Sequence, residues 1–171
     1  FIQTDFGIKV FGVWCTDYQR FAYVLAPGKS MPSEEDQYKW EVAKQGHRMV
    51  LEAMRPGIRG YDVDQVQRKW MKEKGSKPVK WGTGHPVGYW AHDVGPSIGG
   101  GQRPDPPTGD ALRVLREGQT FAYDGFYCWE EVPGDESTRK FISVEEIAVV
   151  TQSGAEYLIL PQEDLFLIPS K

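Results

Sequence analysis

"GQTFAYDGFYCWEEVPGDESTRKFISVEEIAVV", residues 118–150, is two strand-like runs around a turn. Aromatic and β-branched residues crowd both runs, and Pro133-Gly134-Asp135 between them is turn chemistry. Acids interrupt both runs: Asp124 in FAYDGFY, Glu145 and Glu146 in FISVEEIAVV. Asp124 and Glu145 are equidistant from the Gly134/Asp135 junction, so an antiparallel hairpin sets them opposite each other. Acids in such surroundings need a partner. Strand alternation lets only one of Glu145 and Glu146 point inward, and a solvated edge strand is the competing account of that pair.

The first 25 residues, FIQTDFGIKVFGVWCTDYQRFAYVL, form a second candidate hairpin, broken by Gly7 and Gly12. With the turn centred on Phe11, Asp5 lies opposite Asp17, with Cβ atoms roughly 5 Å apart. Their neighbours are apolar or aromatic, so both strands are expected to be largely buried. Two carboxylates that close repel by about 3 kcal/mol at an effective dielectric near 20, a penalty that a cation converts into binding. A different register, with one aspartate in solvent, is the plain alternative.

Two helices are expected between the hairpins. Ser33 with Asp36 is a capping arrangement, and that helix should run to about Met54 on a stripe of Val42, Met49, Val50 and Ala53. The second is expected to be capped by Asp62 with Gln65 reaching back, to carry Val63, Val66 and Trp70 on one face, and to end at Gly75. Residues 80–110 are rich in Gly and Pro, which predicts a long irregular loop, often a functional one. A last strand is expected in AEYLIL, residues 155–160, before a short tail.

That loop contains GHPVGYWAHDVGP, residues 84–96, with two of the chain's three histidines, His85 and His92. His47, in KQGHRMV, fits a surface or packing role on a helix. Four carboxylates with one or two histidines make an oxygen-rich donor set, suited to Mn²⁺, Co²⁺, Fe²⁺ or Zn²⁺ and able to balance two divalent ions.

The 171 residues suffice for one domain with a core, and 40% hydrophobic with 26% charged residues is a globular composition. A net charge of −4 argues against nucleic acid as a partner. No run of about 18 apolar residues suggests a membrane span. Cys15 and Cys128 make neither a disulfide framework nor a CxxC pair. No leader is visible, and the cytoplasm is the expected compartment.

The order Asp, Asp, His, His, acid, acid resembles the pita-bread metallopeptidases: Xaa-Pro aminopeptidases, prolidases and methionine aminopeptidases. TDFG and CTDYQR look like that family's first two aspartate strands. GHPVGYWAHDVGP is similar to its two-histidine segment, and AHDVGP leans toward the proline-specific branch. GQTFAYDGF and ISVEEIAVVTQSGAEYL look like its two remaining ligand strands, and AMRPGIRGYDVDQV like the connection between its middle helices. Six motifs in order cover essentially all 171 residues.

The resemblance implies an α+β fold, a curved antiparallel sheet with helices on its outer face. It implies two divalent metal ions, Mn²⁺ foremost with Co²⁺, Zn²⁺ or Fe²⁺ as alternatives. Asp5 would chelate one ion, Asp17 and Glu145 would bridge the two, and His85 and Asp124 would complete the other. An activated water would be the nucleophile, Asp124 would carry its proton, and His92 would face the substrate carbonyl. The implied reaction is hydrolysis of Xaa-Pro bonds in short peptides. A non-catalytic pita-bread binding protein and a creatinase-like hydrolase of a non-peptide C–N bond are the alternatives.

Three positions depart from the family. Asp124 stands where the family has glutamate, one methylene longer. Asp5 and Asp17 are twelve residues apart rather than eleven, which predicts a bulge near the hairpin end. Ser143 stands where proline-specific members carry arginine. The family domain also begins well before its first aspartate, so residues 1–171 are expected to be the C-terminal portion of one pita-bread catalytic domain. The expected partners are the preceding segment of the same protein and further copies in a homo-oligomer.

Overall fold

The computed structural model of the chain describes residues 1–100, 107 and 109–170. Residues 101–106 and 108 of the Gly/Pro loop lie outside the described residues. A four-stranded antiparallel sheet forms the centre, in the order β5 (Gly84–Pro86), β6 (Thr120–Glu130), β7 (Arg139–Val150), β8 (Ala155–Tyr157). β6 and β7 are the long hairpin of the sequence, in the expected register, with Asp124 opposite Glu145. Alternation gives their two faces different work. Tyr123 and Glu146 form the pair next to Asp124 and Glu145 and are themselves fully buried.

Glu146 is therefore no solvated edge residue. Its carboxylate accepts from Arg20 Nη1 at 3.0 Å and from the Gln162 backbone N–H at 2.6 Å. Burial pushes its carboxyl above the usual range, and the Gln162 N–H and the Arg20 guanidinium oppose that rise.

The first hairpin departs from expectation in three ways. β1 (Ile2–Phe6) and β4 (Tyr18–Val24) pair so that Asp5 faces Gln19, not Asp17. The tip pairs β2 (Lys9–Val10) with β3 (Trp14–Cys15) on the same register, since Phe6 faces Tyr18 and Lys9 faces Cys15. The ladder is thus interrupted without a bulge. The additional residue lies in the tip, where Val13 N–H donates to Val10 C=O at 3.0 Å while Phe11 and Gly12 hold φ of 52° and 68°. Positive φ at successive residues is the habit of primed hairpin turns. β1 is exposed along its whole length rather than buried, because it is an edge strand of the sheet β1-β4-β9. β9 (Phe166–Ile168), absent from the sequence expectation, joins β4 in parallel. Of AEYLIL, residues 155–157 alone are strand.

α1 (Glu34–Ala53) begins as expected, with Ser33 Oγ accepting from Asp36 N–H at 3.1 Å, an N-cap of about 1 kcal/mol. Val42 and Val50 are buried with Trp40, Ala43 and His47, whereas Met49 and Ala53 are half-buried. α2 (Gly60–Glu73) starts earlier than expected and Asp62 does not cap it. Asp62 instead takes the Arg59 guanidinium in two bonds of 2.7 and 2.8 Å, while Gly60 N–H is held by Arg113 C=O at 3.2 Å. Its buried stripe is Val63, Asp64, Gln67 and Met71, with Val66 and Trp70 half-buried. Two polar residues on that face obscured its period.

α1 lies across β6 so closely that a Cβ on Gly125 would meet Ala43 O at 2.1 Å. Val50, Met54, Val63, Ile98, Phe121, Tyr123 and Val150 form the core there, between helices and sheet. Among the described residues no helix is long and apolar enough to cross a membrane.

Candidate metal centre

Asp124 and Glu145 project from the middle of β6 and β7, and a cavity of about 550 Å³ opens over them. Asp5, Asp17, His85 and His92 line the same cavity. All six residues singled out from the sequence are thus brought together, from β1, the residue before β4, β5, the 88–94 loop, β6 and β7. One oxygen each of Asp5, Asp17 and Glu145 lies within 4.8 Å of the others. Asp5 and Asp17 stay together despite the corrected register, because Asp17 and Asp5's partner Gln19 are two residues apart and share a face.

His85 was expected in irregular chain but occupies a short strand opposite Ala122. That strand needs Gly84, where a Cβ would meet Ala122 O at 2.6 Å and Tyr123 Cβ at 2.7 Å. The His85 ring has Nδ1 3.2 Å from Pro86 C=O. A carbonyl only accepts, so this contact places the proton on Nδ1 and leaves the Nε2 lone pair free to face a cation. Nε2 lies 3.7 Å from Asp17 Oδ2 and 3.9 Å from Glu145 Oε1. Burial holds the imidazole below its ordinary pKa, with His92 adding to the effect, which favours the neutral ligand form.

His92 comes from the neighbouring loop. Its ring centroid is 3.9 Å from that of His85, and its Nε2 is 3.8 Å from Asp17 Oδ2. Its side chain is 79% exposed against 24% for His85, so His92 stands at the cavity mouth. Asp93 folds this loop by accepting from the Tyr89 and Val94 N–H groups at 2.8 and 2.7 Å. The β2–β3 tip docks against it through Cys15 N–H to Gly88 C=O, 2.8 Å.

The electrostatics are those of crowded acids. Burial raises the carboxyls of Asp124 and Glu145, and the other cavity carboxylates raise both further. Asp17 is also raised, by burial first, while His85 opposes the shift. Among the described residues, Glu145 Oε2 is buried without a hydrogen-bond partner. Hard oxygen donors, one neutral imidazole and an unpartnered buried carboxylate oxygen suit divalent cations of the Mn²⁺ to Zn²⁺ series.

Several contacts around the site escaped the sequence reading. Gln19 Nε2 donates to Asp5 Oδ2 at 3.3 Å, and Gln3 Nε2 to Gln19 Oε1 at 2.6 Å. Ser143 Oγ donates to Asp124 Oδ1. Thr83 C=O accepts from Asp124 N–H at 2.7 Å, and Thr83 Oγ1 donates to buried Asp64, which also pairs with Arg68. Spacing two residues from a candidate ligand could have flagged Gln19, and it did single out Ser143, though not its bond to Asp124. Nothing local marks Asp64.

The architecture is that of the pita-bread hydrolases. The chain aligns over 97% of its length with a prolidase from Thermococcus sibiricus (TM-score 0.75, 20% identity, 39% of that chain). It aligns over 98% with the dipeptidase PepE from Mycobacterium ulcerans (TM-score 0.73, 24% identity, 40% of that chain). In sequence it is 30% identical over 141 residues to an Xaa-Pro dipeptidase of Lactobacillus helveticus, a match covering 81% of this chain and 33% of the relative. Residues 1–152 match metallopeptidase family M24, and the chain belongs to that family. It spans about a third of the curated relative's length.

Proposed function

We propose that this chain carries the dinuclear metal site of an Xaa-Pro peptidase. Asp5, Asp17, His85, Asp124 and Glu145 would hold two divalent ions, Mn²⁺ foremost. Once bound, the pair would supply Lewis acidity toward water and a peptide carbonyl. Asp124, buried and raised in pKa, is suited to take and return a proton. His92, at the cavity mouth, is suited to hydrogen-bond the substrate carbonyl as charge develops on it. The observation that carries this reading is the convergence of six side chains on one cavity in which Glu145 Oε2 has no hydrogen-bond partner among the described residues. Preference for proline after the scissile bond rests on the AHDVGP segment and on the relatives named prolidase and Xaa-Pro dipeptidase.

We further propose that residues 1–171 are the C-terminal portion of one pita-bread catalytic domain, acting in the cytoplasm as a homo-oligomer on short peptides. Metal analysis of the complete protein, paired with hydrolysis of matched Xaa-Pro and Xaa-Ala peptides, tests the reading. Two ions per chain and selective Xaa-Pro cleavage are expected. Asp124→Ala should lower turnover by about 10²-fold or more, and Asp124→Glu, which keeps a carboxylate, should retain it at saturating Mn²⁺. No hydrolysis at saturating Mn²⁺, Co²⁺, Zn²⁺ or Fe²⁺ would replace the peptidase reading with a binding role.

A further inference from the structure

Two of the departures from the family pattern, Asp124 and Ser143, touch each other. Ser143 lies on β7 two residues before Glu145, so it shares the face that carries Glu145 into the cavity. Its side chain is buried, and its hydroxyl donates to Asp124 Oδ1. The Asp124 backbone is held independently by Thr83 C=O at 2.7 Å. An aspartate arm has two free torsions. A hydrogen bond from a rigid neighbouring strand selects one orientation of the carboxylate plane. The match is one of size. A serine hydroxyl projects little from its strand and meets an acid of short reach, whereas a glutamate at 124 would carry its carboxylate beyond that contact. A long side chain at 143 would occupy the space in which the two groups meet.

We infer that Ser143 is the positioning residue for Asp124: its hydroxyl ties one carboxylate oxygen to β7 and leaves the other for a cation. The inference rests on the metal-site reading above, and it assigns a role to a residue that reading does not use. Groups that orient a ligand from behind typically change metal affinity by about 10- to 100-fold when removed.

The test is calorimetric titration of the complete, metal-free protein with Mn²⁺ alone, for the unaltered protein, Ser143→Ala and Ser143→Thr. Ser143→Ala should weaken one Mn²⁺ by about tenfold or more. Ser143→Thr, which keeps the hydroxyl, should stay within about threefold, and the unfolding temperature of the metal-free proteins should not follow this order. In an Asp124→Ala background, Ser143→Ala should have no further effect on Mn²⁺. If Ser143→Ala does not fold, Ser143→Cys carries the same expectation, since it keeps the volume with a weak donor. Equal Mn²⁺ affinity for the unaltered protein and the alanine or cysteine variant would overturn the inference and leave the proposed function standing. Loss of Mn²⁺ by a folded Ser143→Thr would overturn it too, because the hydroxyl would not be the cause. An unaltered protein that binds none of Mn²⁺, Co²⁺, Zn²⁺ and Fe²⁺ would bring down both.

Discussion

The rings of His92 and His85 lie 3.9 Å apart, tilted by 33°, but face different surroundings, and burial separates them. His85 is enclosed on a strand with Nε2 free toward Asp17 and Glu145. His92 is open to solvent at the mouth. His92→Ala should therefore leave metal content intact and lower turnover by about 10²-fold, the usual effect of deleting a donor to a developing oxyanion. Metal analysis and steady-state kinetics on one preparation check this, and unchanged turnover would remove His92 from the mechanism. At this scale the sequence was informative, since the two histidines and four acids could be named from type and order. The loop that aims His92 could not. Asp93's bonds to the Tyr89 and Val94 N–H groups depend on a backbone path that composition does not specify.

The β6–β7 hairpin is the element that turns chain order into geometry, and α1 braces its far side. His47 on α1 stacks against Tyr123 (4.3 Å) and lies parallel to Tyr157 (5.7 Å), whose hydroxyl is 3.3 Å from His47 Nδ1, a close approach that needs the missing Cβ at Gly125. Complete burial drives its pKa down to about 3, with Arg48 and Arg20 adding to the shift. An unfolded histidine titrates near 6.5, so between those values the unfolded chain binds the extra proton. His47's contribution is fully present above about pH 6.5 and is lost as pH falls toward 3. The slope is bounded at about 1.4 kcal/mol per pH unit. His47→Phe, which keeps the stacking and cannot be protonated, should flatten the fall of the unfolding temperature between about pH 6.5 and 4. Parallel pH series of thermal melts for the two proteins decide it, and identical slopes would sink the claim. Raised acids such as Glu146 act in the opposite sense and are common to both proteins. The sequence allowed His47 a surface or a packing place; the helix-to-strand distance decided for packing.

Across the whole molecule, the cavity exists because the edge strand β1, the strand β5 and the central hairpin meet over one face of the sheet. Without cations, Asp124 and Glu145 are each held above their ordinary pKa by burial and by the neighbouring carboxylates. Metal removal should therefore lower the unfolding temperature of the complete protein by several degrees. Binding at a hundredfold above Kd contributes about 2.7 kcal/mol, and a domain of about 150–250 residues shifts by roughly 2–4 °C per kcal/mol. Protons compete with cations for these raised carboxylates, so the shift should be larger at pH 8 than at pH 5.5. Thermal melts with excess Mn²⁺ and with chelator at both pH values measure it. No shift at either pH would contradict a metal site in this cavity.

What the sequence determined by itself was local or periodic: the long hairpin and its 124–145 register, the start of α1, and the residue types that make a hard-metal donor set. A turn flanked by equal strands sets a register by counting, and an N-cap is decided within four residues. Tertiary structure alone decided the rest. The first hairpin's register shifted because backbone conformation at Phe11 and Gly12 added a residue to the tip. β1 proved exposed because burial depends on what covers a sheet, not on the apolarity of the strand. Val63, Asp64, Gln67 and Met71 form α2's buried face because Asp64 finds Arg68 and Thr83 inside, and such pairing across the fold leaves no hydrophobic period to read. Ser143's contact with Asp124 belongs to the same class, since side chains nineteen residues apart in sequence meet only once two strands have paired.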